Sequence, residues 1–169
     1  MDYEQIVSDL AQQVFDAIAP RVTPEDLERV RQAYLLAKEA HAPQRRKSGE
    51  PYILHPIAVA LIVAKELQLD ANTIITAFLH DVVEDTSVTF AELEQLFPAQ
   101  VMEAVRLLTH LEETPYMDYV AQIKLNPIAR AVKLADLRHN SDLSRLDAVD
   151  EKALRRCEKY AEAIRLLTE

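Results

Sequence analysis

The chain has 169 residues, no tryptophan, and one glycine where a chain of this length ordinarily carries about a dozen. With 49% apolar and 28% charged residues it is neither disordered nor low-complexity, and it is long enough to bury one core. A net charge of −9 excludes general nucleic-acid binding, which needs a basic surface to displace phosphate counterions, but not a small anionic ligand met by local cations.

Proline and capping residues divide the chain into successive helices. Residues 1–20 carry an amphipathic pattern, with a helix expected over 3–18 that packs on the domain or on a second subunit, so a homo-oligomer stays open. Thr23 is the expected N-cap of a helix beginning at Pro24, with acids in its first turn and Leu27, Val30, Tyr34, Leu35 and Ala37 on one stripe. HAPQRRKSGEP (41–51) breaks that pattern with Pro43, Gly49 and Pro51 and reads as a loop. A helix over about 53–67 follows, with Pro56 tolerable only in its first turn. Asp70 caps a helix over 71–85, Thr89 one over 90–97, and Pro98 opens 99–110. Pro115 opens 116–125, Asn126 and Pro127 open a helix ending at Asn140, and Asp150 opens the last, giving a C-terminal helix over 150–168. About nine helices and no strand predict an all-α fold, one domain over 1–169 with its motifs in 24–146. Nothing resembles a signal peptide or a membrane span, so a cytoplasmic protein is expected, with no membrane partner. Cys157 has no cysteine to pair with and no metal-cluster context.

The chemistry-bearing residues fall in three places. In HDVVED (80–85), His80 and Glu84, and Asp81 and Asp85, are four apart at the end of an apolar helix. Acids losing hydration there need a cation, and a divalent metal suits adjacent His and Asp; acids simply facing water are the alternative. His55 opens the preceding helix between Leu54 and Pro56. Asp136 interrupts an apolar run in VKLADLRHN (132–140), with Lys133 and Asn140 a turn away on either side. Together His55, His80, Asp81 and Asp136 offer two imidazoles and two carboxylates to one ion, with positions left for water or substrate.

RKSGEPYILHP (46–56), FLHDVVEDT (78–86) and VKLADLRHN together resemble the HD superfamily of metal-dependent phosphohydrolases, and within it the hydrolase domain of the RelA/SpoT family and its free-standing small relatives. The resemblance runs from His41 to Leu146, with no synthetase domain expected in these 169 residues. It implies one metal ion, Mn2+, on His55, His80, Asp81 and Asp136, and Glu84 and Asp85 as the acids that orient and deprotonate water. It places Arg46, Lys47, Ser48 and Asn140 against a nucleotide, and implies removal of the 3′-pyrophosphate of (p)ppGpp. After Asn140 the chain departs from the family: Leu143 stands where a threonine is usual, Asp142 where a base is usual, and DLRHN replaces the commoner DRLHN. Hydrolysis of another phosphorylated nucleotide, such as the 2′-phosphate of NADPH, and a non-catalytic nucleotide binder therefore remain open. Tyr116, Tyr119 and Lys124 are candidates for the same pocket. Gly49 is expected at positive φ, or where backbone closely approaches a ligand.

Overall fold

The computed structural model describes residues 2–143 and 148–169. Its centre is a helix apolar on every side: of Ala71–Leu79 (α4) only Asn72 is not buried, as expected of a helix with neighbours all round. Four helices surround it: Pro24–Ala40 (α2), Leu54–Leu61 (α3), Ala99–Leu108 (α7) and Pro127–Asn140 (α9). Tyr3–Ile18 (α1) buries Val7, Ala11, Val14, Phe15 and Ile18 against α2 and α3. Tyr116–Ile123 (α8) and Glu151–Thr168 (α10) close the side bordered by α9. Two short helices, Val82–Asp85 (α5) and Phe90–Glu94 (α6), lie between α4 and α7. The fold is all-α; among the described residues no strand forms, and one isolated antiparallel bridge joins Arg45 to Pro51.

The expected caps form. Thr23, Asp70, Thr89, Asn126 and Asp150 each accept a hydrogen bond from the backbone N–H three residues on. The end of the SDLSRL stretch, Ser144–Leu146, lies outside the described residues.

Two expected helices are corrected. The helix over 53–67 is α-helical only to Leu61, and Ile62–Glu66 widens into a π-helical turn in which Leu67 N–H reaches Ile62 O at 3.1 Å. The helix over 71–85 is broken between α4 and α5: Asp81 has φ −107 and ψ 0, outside α-helical geometry. Neighbours on a continuous helix diverge by about 100°, and the turn at His80 and Asp81 brings the two side chains together, with His80 Nε2 3.0 Å from Asp81 Oδ2.

Candidate metal centre and nucleotide pocket

Four helical segments bring their polar residues to one place. His55 comes from the first turn of α3, His80 and Asp81 from the break after α4, and Asp136 from α9. One ligand atom from each lies within 4.8 Å of all the others. His55 Nε2 is 2.8 Å from Asp136 Oδ1, and Asp81 Oδ2 is 3.0 Å from His80 Nε2 and 3.7 Å from His55 Nε2. His55, His80 and Asp136 are buried.

The surrounding bonds leave the cluster short of a cation. His80 Nδ1 donates to Ala77 O at 2.6 Å, so Nε2 is the nitrogen left to face the cluster; it is buried and makes no hydrogen bond among the described residues. A ring nitrogen fixed in that orientation and aimed at two carboxylates is what a divalent ion requires. His139 Nδ1 stands 2.8 Å from His55 Nδ1, where it can accept that nitrogen's proton and leave Nε2 facing the cluster. The Tyr52 hydroxyl donates to Asp81 Oδ2 at 2.6 Å; Lys133 Nζ donates to Asp136 Oδ2 at 3.0 Å and Asn140 Nδ2 to Asp136 Oδ1 at 3.1 Å. The cluster could therefore hold a divalent metal.

Burial is the largest influence on each of these groups, and the neighbours decide the outcome. Burial, helped by the neighbouring His80, lowers the His55 pKa against the pull of Asp136 and Asp81, which keeps the ring neutral. For His80 burial is outweighed by Asp81 and Asp136, which raise its pKa well above the usual range: without an ion the two carboxylates hold a proton on this ring, in the place a metal would take. Asp136 is pulled well below the carboxylate range by Lys133 and His55 despite its burial. Asp85 is pushed up to about 6 by burial and by the nearby Asp81 and Glu84 carboxylates. Glu84 is raised by burial, a shift partly offset by the His110 N–H that donates to its Oε1 at 2.7 Å.

Two cavities meet beside the cluster. A chamber of about 150 Å³ is lined by His80, Asp81, Glu84 and Asp136 together with Tyr116, Tyr119 and Lys133. A cleft of about 320 Å³ is lined by Arg46, Lys47, Ser48, Tyr52 and, from α10, Arg156 and Tyr160. Asn140 and Tyr160 line both. The loop that carries Arg46 and Lys47 is a tight hairpin: Gly49 N–H donates to Arg46 O at 2.8 Å and Arg46 N–H to Glu50 O at 2.9 Å. That is a three-residue turn with a glycine bulge. Gly49 has φ +91, and nothing lies within 4 Å of where a Cβ would stand. Its conformation requires glycine; close approach does not.

The structure thus gathers His55, His80, Asp81, Asp136, Glu84, Arg46, Lys47, Ser48 and Asn140 around one pair of cavities. Arg46 Nη2 donates to Asn140 Oδ1 at 3.2 Å, tying the loop to α9, whereas the Ser48 hydroxyl is turned onto Glu50 at 3.1 Å. Asp85 lines neither cavity; Tyr116 and Tyr119 do, and Lys124 caps the end of α8 away from both. Arg138, displaced by one position in DLRHN, forks onto Glu66 beside the π-helical turn. Sequence reasoning missed Tyr52, His139, Arg156 and Tyr160. Tyr52 lies inside a quoted motif, but Arg156 and Tyr160 sit in an ordinary amphipathic helix that gives no sign of its neighbours. Cys157 also lines the cleft, its thiol 3.7 Å from Ser141 O.

A model of the HD domain family matches residues 33–139. The chain belongs to the HD domain family. Among its relatives, the bifunctional (p)ppGpp synthase/hydrolase SpoT of Escherichia coli is 51% identical over 96 residues, covering 56% of this chain and 14% of that protein. A GTP pyrophosphokinase of Myxococcus xanthus is 38% identical over 141 residues, covering 75% of this chain and 18% of its own length. This HD chain therefore spans less than a fifth of either relative. A solved structure of a metazoan SpoT ortholog that hydrolyzes ppGpp superposes with a TM-score of 0.69 at 27% identity, over 82% of this chain and 85% of that one. No helix among the described residues is long and apolar enough to cross a membrane.

Proposed function

We propose that this HD protein hydrolyses (p)ppGpp, releasing pyrophosphate and GDP or GTP, with one Mn2+ held by His55, His80, Asp81 and Asp136. The observation that carries the reading is the buried His80 Nε2, which makes no hydrogen bond among the described residues and stands 3.0 and 3.5 Å from the Asp81 and Asp136 carboxylates, next to a cleft whose Arg46 is bonded to Asn140. An ion bound there lowers the pKa of water and polarises a phosphoryl oxygen. The other parts of the reaction belong to the chain's own side chains. Arg46 and Lys47 neutralise phosphate, and the flat Arg46 guanidinium offers a face to a base. Ser48 borders the same phosphates, and Asn140 aligns Arg46 with the metal side. A water oxygen bonds to the phosphorus on the ribose 3′-oxygen while that P–O bond breaks; the departing 3′-oxygen takes up a proton. Glu84 and Asp85, both raised towards neutrality, orient the water and accept its proton. Of the two, Glu84 lines the chamber and Asp85 does not.

The relatives support this substrate, since their names specify (p)ppGpp synthesis or hydrolysis. Leu143 on the cleft wall favours one second reading, a different phosphorylated nucleotide such as NADPH, because an apolar side chain there gives a ribose hydroxyl no partner. We further place residues 1–169 in one domain that works in the cytoplasm. The test is phosphate and pyrophosphate release from a nucleotide panel, with Mn2+ added, by the wild type and Asp81→Asn. Turnover of (p)ppGpp that is lost in the variant is expected. Turnover of NADPH alone overturns the substrate, and an active variant overturns the metal assignment.

A further inference from the structure

The smaller chamber has more in it than the metal cluster and its water-activating acid. Among the other lining residues, the Tyr116 hydroxyl is buried and makes no hydrogen bond among the described residues. An unmet buried polar atom is costly, and two of the residues that carry one, Tyr116 (Oη) and His80 (Nε2), line this one chamber. The second is explained by a cation. The first is flanked by cations already: Lys159 Nζ lies 4.1 Å from the centre of the Tyr116 ring and Lys133 Nζ 5.8 Å from it. Lys133 gives one hydrogen bond to Asp136 Oδ2, but an ammonium has three protons to donate. Lys159 makes no ion pair among the described residues and is exposed at the chamber's edge.

A neutral donor between two ammonium groups suits an anion with several oxygens. The chamber's size narrows the choice. At ~30 Å³ per water molecule, about 150 Å³ holds roughly five waters, enough for a phosphate group and too little for a nucleoside. The nucleoside then belongs in the larger cleft, which borders the chamber at the shared Asn140 and Tyr160. His80, Asp81 and Asp136 line the chamber itself.

We infer that Tyr116, Lys133 and Lys159 form a subsite for the distal phosphate of the pyrophosphoryl group. This deepens the reading above and rests on it for the identity of the substrate. The subsite sets orientation, with the nucleoside towards Arg46 and the terminal phosphate towards Tyr116. It also selects a pyrophosphoryl group over a single phosphate, because a monophosphate at the cluster leaves the Tyr116 hydroxyl unmet.

The test is equilibrium binding of inorganic pyrophosphate, inorganic phosphate and GDP to the full chain, with free Mn2+ buffered, measured by calorimetry for the wild type, Tyr116→Phe, Lys159→Gln and Lys159→Arg. Each of the first two variants loses one charge-assisted contact, which weakens pyrophosphate about tenfold. GDP affinity stays within about twofold, and Lys159→Arg retains most of the pyrophosphate affinity. Because Lys159 is exposed, its variants fold even if Tyr116→Phe does not. Unchanged pyrophosphate affinity in Lys159→Gln overturns the subsite, as does equal weakening of pyrophosphate and GDP, or failure of the wild type to bind pyrophosphate. If pyrophosphate binding responds to the variants as expected while (p)ppGpp is not turned over, the substrate assignment falls and the subsite stands.

Discussion

Tyr52→Phe separates two jobs held by one side chain. The hydroxyl donates to Asp81 Oδ2 at 2.6 Å, while the ring lies 5.9 Å below the Arg46 guanidinium and lines the cleft. Asp81 Oδ2 is also the oxygen that faces His80 Nε2 and His55 Nε2, at 3.0 and 3.7 Å, so the bond from Tyr52 holds the carboxylate in its ligating position. Burial and the Asp81 charge raise the phenol far above its usual range, so it is a donor at every working pH. A hydrogen bond to a buried charged acceptor contributes about 1.5–3 kcal/mol, which agrees with the 10–100-fold loss of affinity on removing a group that orients a metal ligand. Tyr52→Phe is therefore expected to raise the Kd for Mn2+ by about 10–100-fold, with KM and the kcat at saturating Mn2+ little changed, since the ring stays under Arg46. Calorimetric Mn2+ titration of the metal-free protein and kinetics over a range of free Mn2+ measure the two parts. An unchanged Kd refutes the reasoning, and a kcat that excess metal does not restore shows that the hydroxyl acts on the reaction itself.

Gly49→Ala tests the loop. With open space around the missing Cβ, only the φ of +91 opposes substitution, so alanine costs about 1–2 kcal/mol and Gly49→Asn less, because asparagine tolerates left-handed backbone. Urea unfolding gives the order, and an alanine variant as stable as the wild type contradicts the account. His41 is buried, its Nδ1 bonded to Gln44 Oε1 at 2.9 Å, and burial lowers its pKa below the ordinary 6.5. The unfolded chain therefore takes up this proton first as pH falls. The stability owed to neutral His41 is present above about pH 6.5 and lost below it, at up to ~1.4 kcal/mol per pH unit. Unfolding of metal-free wild type and His41→Asn between pH 7 and 5 should show the shallower slope in the variant; parallel slopes exclude His41 as the source.

Local chemistry was legible from residues alone. A side chain three residues before a free N–H caps a helix wherever it sits, so Thr23, Asp70, Thr89, Asn126 and Asp150 announced their helices without reference to the rest of the chain. Gly49 could be read in the same way, because a positive φ is a property of one residue and its turn. The four cluster residues were legible because each is a polar group in an apolar setting, and burial demands a partner for it. Tertiary structure decided what those partners share. It broke the helix over 71–85 at Asp81 and brought His80 and Asp81 to one point with His55 and Asp136 from distant segments. It also brought Arg156 and Tyr160 to the cleft and Lys159 to the chamber, and set the Tyr52 hydroxyl against Asp81. The Tyr52–Asp81 pair alone spans 29 positions, and helical periodicity, which repeats every few residues, says nothing about which distant face will meet another.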